Sequence, residues 1–311
     1  MSSDLSPEVA SQIVSSAEEY FGGENILLIQ FSAENTSLTK LFLSGGRYAY
    51  LDRSGDLVDQ WQLNGRPEEL LYDLHHRLLL GDTGLLLSGI AAIVLLALFI
   101  PGAIVWWPAR RSFSWRLLVG GLMRPQLLAT HRNLGIVSLA PIALLLVTAV
   151  ILSFPDQAQA IFVDPHSSKD SYSDLYVQNL DQLSGEQYGS IEKSLERALL
   201  SMQGGRIRSL QLPYGYSGYN LIGMQQKGDW HSGGLSRIYI DPQTGLMDMR
   251  LDAHSLPRSE KLYNLSYPLH TGKVDSLVYR IALTVFGASL FSLSLIGSVS
   301  FIKKLWANLK T

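Results

Sequence analysis

Three long stretches without a single charged residue, at positions 85–107, 134–154 and 281–302, constrain this chain more than any other feature. Each exceeds the roughly 20 residues that an α-helix needs to span a hydrocarbon core about 30 Å thick. Helices buried in a soluble domain of this size carry a polar stripe somewhere along their length, and these do not. The sequence therefore predicts a membrane protein that crosses the bilayer three times. A mean hydropathy of +0.13 with only 17% charged residues agrees with that reading.

Charge in the connecting segments sets the expected orientation. Between the first two spans lie Arg110, Arg111, Arg116, Arg124 and Arg132 with no acidic residue, and Lys303, Lys304 and Lys310 follow the third. Arginine and lysine accumulate on the cytoplasmic side, so both segments are expected there. Residues 1–83 hold thirteen acidic and five basic side chains, and residues 155–275 are mildly acidic. Both are expected on the opposite side. An exported N-terminal segment needs a signal or a preceding span, and residues 1–77 contain no apolar run adequate for either, so the chain reads as N-terminally incomplete. Cysteine is absent from the whole chain, which excludes disulfides, thiolate-ligated haem, cysteine-bound iron–sulfur clusters and the usual cysteine zinc sites.

Outside the spans the sequence reads as α+β. Ser6 is placed to cap a helix over 7–21, with Pro7 at its first position, apolar Val9, Ile13, Ala17 and Phe21 at helical spacing, and Gly22-Gly23 as the stop. Short strands are expected at 26–31, 38–42, 47–51 and 57–63. The same plan returns later, with a helix over 188–202, a stop at Gly204-Gly205 and strands near 207–212 and 219–225. The closing hairpin Ile238-Tyr-Ile-Asp-Pro-Gln-Thr-Gly245-Leu-Met-Asp resembles Ala49-Tyr-Leu-Asp-Arg-Ser-Gly55-Asp-Leu-Val-Asp, which marks an internal repeat. Physically, Asp-Pro-x-Thr-Gly is a turn device in which glycine accepts a positive φ.

Four further motifs complete a pattern. They are Leu74-His-His-Arg-Leu-Leu-Leu-Gly-Asp-Thr-Gly84, Pro101-Gly-Ala-Ile-Val-Trp-Trp-Pro-Ala-Arg-Arg111, His131-Arg-Asn-Leu-Gly135 and Pro268-Leu-His-Thr-Gly272. With the two hairpins, they resemble proteins that carry PepSY domains and PepSY-associated transmembrane helices, whose studied members include haem-containing reductases of iron–siderophore complexes. The resemblance covers nearly the whole chain. It departs in one respect: full-length relatives begin with a further membrane helix that opens in a second His-Arg-x-x-Gly-like motif, and nothing here matches it.

The expected architecture is an α-helical membrane protein with three transmembrane helices and two small PepSY-like α+β domains on one side. Its divisions are a PepSY-like periplasmic domain (1–73), a first span with its histidine-bearing lead-in (74–108), a basic cytoplasmic loop (109–130), a second span (131–155), a second PepSY-like periplasmic domain (156–269), a third span with its lead-in (270–303) and a cytoplasmic tail (304–311). The location implied is a bacterial inner membrane.

The resemblance implies haem b, held by axial histidine nitrogens. His75 lies ten residues before the first apolar stretch and His270 eleven before the third, and both spans run inward, so the two are expected at similar depth. They are the candidate ligands of an outer haem, with His76 as the alternative to His75. Adjacent residues point about 100° apart on a helix, so only one of His75 and His76 faces the bundle. His131 lies three residues before the second stretch, at the cytoplasmic edge. About 22 spanning residues at 1.5 Å rise separate the two levels by roughly 30 Å, too far for a shared iron. In the family arrangement His131 pairs with a histidine on the further helix. Here its partner would come from another subunit or a longer N-terminus, or else the inner site is lost.

His166, His231 and His254 lack the close pairing of a metal motif and read as surface residues. Trp106 and Trp107 read as interfacial anchors, and Pro101-Gly102 as a bend. There is no Walker loop, no GxGxxG after a strand, no nucleophile elbow and no basic-aromatic stripe for nucleic acid, so an electron donor would come from outside the chain. The leading expectation is a haem-containing inner-membrane reductase, or a component of one, that passes electrons to a ferric siderophore. The competing expectations are a non-enzymatic membrane module that binds a peptide or partner protein, and a structural subunit.

Overall fold

The structure is a computed structural model that describes residues 5–32, 38–118, 120–163, 190–214, 218–274 and 276–309. It divides into two compact units, residues 1–79 with 156–268 and residues 80–155 with 269–311.

The first unit is built from the repeat. Helix α1 (Pro7–Phe21) starts where expected, with the Ser6 hydroxyl accepting from the Val9 amide at 3.4 Å, and ends at Gly22 with φ of 76°. Its buried residues, Ala10, Ile13, Val14 and Ala17, form one stripe at i, i+3, i+4, i+7 spacing. Strands β1 (Ile26–Gln30), β2 (Thr39–Leu43), β3 (Arg47–Leu51) and β4 (Leu57–Gln62) follow as an antiparallel meander. After the spans, α5 (Pro155–Phe162) leads away from the second of them. Helix α6 (Ile191–Ser201) and strands β5 (Arg206–Gln211), β6 (Asn220–Gln225), β7 (Ser236–Ile240) and β8 (Met247–Leu251) repeat the plan.

The two halves, read from the sequence as separate domains, share one sheet. Its order is β4-β3-β2-β1-β5-β6-β7-β8, antiparallel throughout. The order is symmetric about the β1–β5 seam, where Ile29 pairs with Leu210 and Gln30 with Ser209. Each half alone would leave an edge of unpaired backbone groups at this seam, and pairing removes both edges at once. Buried Arg208 ties the seam from β5, with Nη1 donating to the Ser32 carbonyl at 3.1 Å and Nε to Gln225 Oε1 at 2.8 Å. Helices α1 and α6 pack together, and the apolar side chains of both halves form one continuous core.

Both hairpins close with the same device. The Asp52 carboxylate accepts from the Ser54 and Asp56 amides at 2.9 and 3.0 Å, with Gly55 at φ of 92°. Asp241 accepts from Gln243 and Thr244 at 2.7 and 3.2 Å, with Gly245 at φ of 64°. These contacts account for the repeated element, Asp-x-x-Gly in the first hairpin and Asp-x-x-x-Gly in the second, as turn chemistry. On the outer face of β2–β4, Lys40 lies 4.6 Å from the centre of the Tyr48 ring, and the Arg66 guanidinium sits 3.6 Å over Trp61. Helix α2 (Pro67–Arg77) rests on that side, with Glu69 reaching Lys40 at 3.5 Å.

The second unit is a bundle of three helices long and apolar enough to cross a membrane: α3 (Gly81–Ala109), α4 (Arg124–Ser153) and α8 (Leu277–Asn308). Helix α4 packs against both others, around buried Ala92, Ile142 and Leu146. Side chains such as Ile100, Val105, Phe291 and Phe301 face outward, as lipid-exposed positions do. Two turns interrupt what the sequence suggested were continuous lead-ins. Helix α2 ends at Arg77, and Leu78, Leu79 and Gly81 take φ of 51°, 59° and 59° before α3 begins. Helix α7 (Arg258–Thr271) ends at Gly272 with φ of 72°, and α8 restarts with the Ser276 hydroxyl capping the Tyr279 amide.

Candidate cofactor site

The first turns of α4 are fixed by the loop that follows α3. Thr130 Oγ1 donates to the Leu118 carbonyl, Arg132 Nη2 to that of Ser112 at 3.2 Å, and buried Asn133 Nδ2 to Ser114 Oγ at 3.0 Å. His131, between them, turns to another side of the helix. It lines a cavity of about 940 Å³ bounded by α3, α4 and α8. Three glycines open this space: Gly102, where an added Cβ would touch nothing within 4 Å, Gly135, and Gly297, where it would lie 3.7 Å from His131 Cε1. The lining is largely apolar, with Phe99 and Leu293 prominent.

Trp106 supplies an unexpected polar atom. Its Nε1–H is buried and has no hydrogen-bond partner among the described residues, and its ring lines the same cavity. The sequence reading treats Trp106 and Trp107 alike as interfacial anchors, and the structure separates them. Trp107 is exposed, with Arg110 stacked 4.5 Å over its ring, while Trp106 turns inward. A buried N–H without an acceptor is costly, so such an atom calls for a ligand or a water.

His270 closes the last turn of α7 and reaches α4. Its Nδ1 lies 3.1 Å from the Leu145 carbonyl and 3.0 Å from Thr148 Oγ1. The single proton of the buried Thr148 hydroxyl points to the Leu144 or the Leu145 carbonyl, at 3.0 and 2.9 Å. Both neighbours of Nδ1 are therefore acceptors, which fixes its proton and leaves the lone pair on Nε2. A carbonyl partner on one nitrogen is the usual support for a histidine that ligates through the other.

His131 and the α4 residues that hold His270 are fourteen to seventeen positions apart, roughly 21–26 Å at the helical rise. The bundle thus keeps these two histidines at separate levels. His75 and His76 belong to α2 and so to the sheet-bearing unit. His75 is exposed. His76 is partly buried with its ring 5.3 Å from that of Tyr72, and its Nδ1 is buried without a partner among the described residues. Burial, then the nearby Arg77 and His75, push its pKa below the ordinary value, which keeps the ring neutral at pH 7. Because a turn separates each lead-in helix from its span, counting residues does not fix the depth of His75 or His270. The repeat does not equate them either. Leu71-Tyr-Asp-Leu74 in α2 matches Leu262-Tyr-Asn-Leu265 in α7, which sets His75 opposite Ser266 and His270 one turn further on.

Among the described residues no group of three or more His, Cys, Asp or Glu side chains is placed to hold a metal ion. His231 accepts from the Gly233 amide at 2.9 Å and stacks on Tyr267, and His254 bonds Asp229 at 2.9 Å. His166 lies outside the described residues.

Fold and site together define an integral membrane protein whose three-helix bundle carries a histidine-bearing cavity and whose duplicated helix-and-strand repeat forms a single sheet. The model of the PepSY-associated TM region matches residues 5–304, and the chain belongs to that family. Comparison with curated proteins finds no match.

Proposed function

We propose that this protein is a haem-binding component of an inner-membrane reductase that delivers electrons to a ferric siderophore or a similar iron complex. The observation that carries the reading is the cavity at His131: a space of about 940 Å³, large enough for a porphyrin, whose mainly apolar wall carries one imidazole, Arg132, Ser294 and an indole N–H without a partner among the described residues. These residues fit haem b. Imidazole is its common axial ligand, and a buried donor suits a carboxylate substituent. When bound, haem b supplies one-electron chemistry. His131 would hold the group's iron through a ring nitrogen, Trp106 would donate a hydrogen bond to it, and the glycines of the three helices keep side chains out of the space. A second ligand would have to come from outside the described residues, from a partner subunit or a preceding helix.

An outer site is proposed at His270, whose Nδ1 is held by a carbonyl. Its partner is His75, or His76 as the alternative. The arginine-rich segment between α3 and α4 and the lysines at the C-terminal end of α8 and beyond it support a cytoplasmic position for those ends, with the sheet in the periplasm. In this arrangement the protein insulates and orients the carriers, and its periplasmic surface meets the iron complex.

The test is a reduced-minus-oxidised absorption spectrum of protein purified from haem-replete cells, with haem counted per chain, for wild type, His131→Ala and His270→Ala. We expect an intense Soret band and sharp reduced bands in wild type, partial loss in each variant, and re-oxidation of the reduced protein by an added ferric siderophore. A colourless wild type that takes up no added haem would overturn the proposal. That outcome would favour a peptide-binding module, for which the open edges of β4 and β8 offer pairing surfaces.

A further inference from the structure

Helix α2 has two faces of opposite character. Toward the sheet, Glu69 reaches Lys40 at 3.5 Å, Asp73 accepts from Asn64 at 3.3 Å, and Glu69 Oε2 and His76 Nδ1 are buried. On the opposite side, Leu70, Leu71 and Leu74 are between 44% and 64% exposed. Their spacing puts them on one stripe that continues through Leu78. Three leucines at one surface of a helix are costly to leave in water, and nothing among the described residues covers them.

The turn that follows extends the same apolar surface. Leu78 and Leu79 hold φ of 51° and 59°, a region where glycine is unstrained and leucine is not, and both side chains, with that of Leu80, are exposed. A turn made only to redirect the chain would use glycine or asparagine at these positions. Leucine there is explained if the side chains have an apolar medium to enter. Span α3 begins at Gly81, only four residues after α2 ends, so the bilayer surface is within reach of the whole stripe.

We propose that α2 is an interfacial helix that lies along the membrane surface, its leucine face sunk into the boundary between headgroups and acyl chains and its acidic face held by the sheet. Amphipathic helices at that boundary bury their apolar side about 5–10 Å deep. The partner is the lipid itself. The inference rests on the membrane spans and on the two faces of α2, and it stands whether or not haem is bound.

Absence of cysteine makes the test direct, because each engineered cysteine is the only thiol in the full chain. Leu71→Cys, Leu74→Cys, Glu196→Cys at an exposed position of α6 and Leu98→Cys within α3 are labelled with an environment-sensitive fluorophore and reconstituted in phosphatidylcholine vesicles. Quenching is compared for iodide in water and for nitroxides fixed at the top or the middle of the acyl chain. At positions 71 and 74 we expect iodide quenching several-fold weaker than at 196. The shallow nitroxide should quench there several-fold more strongly than the deep one, with the reverse preference at 98. Iodide quenching at 71 and 74 equal to that at 196 would put the face in water and overturn the proposal. Protection from iodide without quenching by either nitroxide would mean that a protein surface covers α2, and would overturn it equally.

Discussion

If the two repeats form one cooperative sheet, damage at their seam should loosen both halves. Ile29 on β1 and Leu210 on β5 are fully buried and pair directly across the seam. Ile29→Ala removes three carbons, worth about 0.8 kcal/mol each, and the residual cavity raises the cost toward 3 kcal/mol, within the usual range of about 2–5 kcal/mol. Since about 1.4 kcal/mol is tenfold in an equilibrium constant, amides that exchange through opening of the sheet should exchange roughly 100-fold faster. Hydrogen exchange read by mass spectrometry on the full chain in detergent resolves peptides from 39–62 and 220–251 separately. We expect both sets to accelerate together in Ile29→Ala and again in Leu210→Ala. Acceleration confined to 39–62 in the first variant and to 220–251 in the second would show two independently stable sheets, and would refute the single cooperative core.

Three further outcomes follow from particular contacts. Gly297→Val adds methyl groups beside His131 Cε1 and should lower haem per chain several-fold without loss of helical circular dichroism, as checked by pyridine haemochrome assay. Gly234→Ala places a Cβ at 2.1 Å from the Met224 carbonyl oxygen at a φ of 70°, so it should disrupt the β6–β7 connection and increase proteolysis near 226–235, whereas Gly204→Ala meets no atom and should cost only backbone strain. Because burial lowers the folded pKa of His76, the unfolded chain binds the extra proton first. The stability contributed by the neutral ring is therefore present above the unfolded value of about 6.5 and is lost as pH falls through it toward the folded pKa. His76→Gln should flatten the fall in thermal stability below that pH.

Local signals in the sequence located β1 to β6 to within a residue or two, and β7 and β8 as a hairpin, because each is a short β-rich run bounded by Gly, Asn or Asp. The Ser6 cap and the two Asp-to-Gly hairpin turns were legible for the same reason: their chemistry is complete within a few residues. The seam was not, since β1 and β5 are separated in the chain by two membrane spans and no local pattern records which edge a strand will meet. Helix α2 has the signals of a separate helix, Pro67 at its first turn and leucines at 70, 71 and 74, but only Leu78, Leu79 and Leu80 part it from the span, so the two merge in the hydropathy pattern. Trp106 and Trp107 differ by a single 100° step around α3, and composition alone cannot say which one turns inward. The carbonyl that orients His270 is invisible to any motif, because every residue has one.

That carbonyl leads to the most direct check on His270. With Leu145 O and the donor-committed Thr148 hydroxyl both facing Nδ1, the neutral ring has to carry its proton there. Thr148→Val keeps the side-chain shape and removes one acceptor, a loss of roughly 0.5–1.5 kcal/mol, yet leaves Leu145 O in place. Nitrogen NMR of histidine-labelled protein, prepared without haem and assigned by comparison with His270→Gln, distinguishes the two neutral tautomers. We expect the Nδ1–H form for His270 in wild type and again in Thr148→Val, since one remaining acceptor is enough to hold the proton. A predominant Nε2–H form in wild type would mean that the lone pair points at Leu145 instead of outward. Ligation through Nε2 would then require the ring to give up both contacts, and His270 would be better understood as a side chain that fastens α7 to α4.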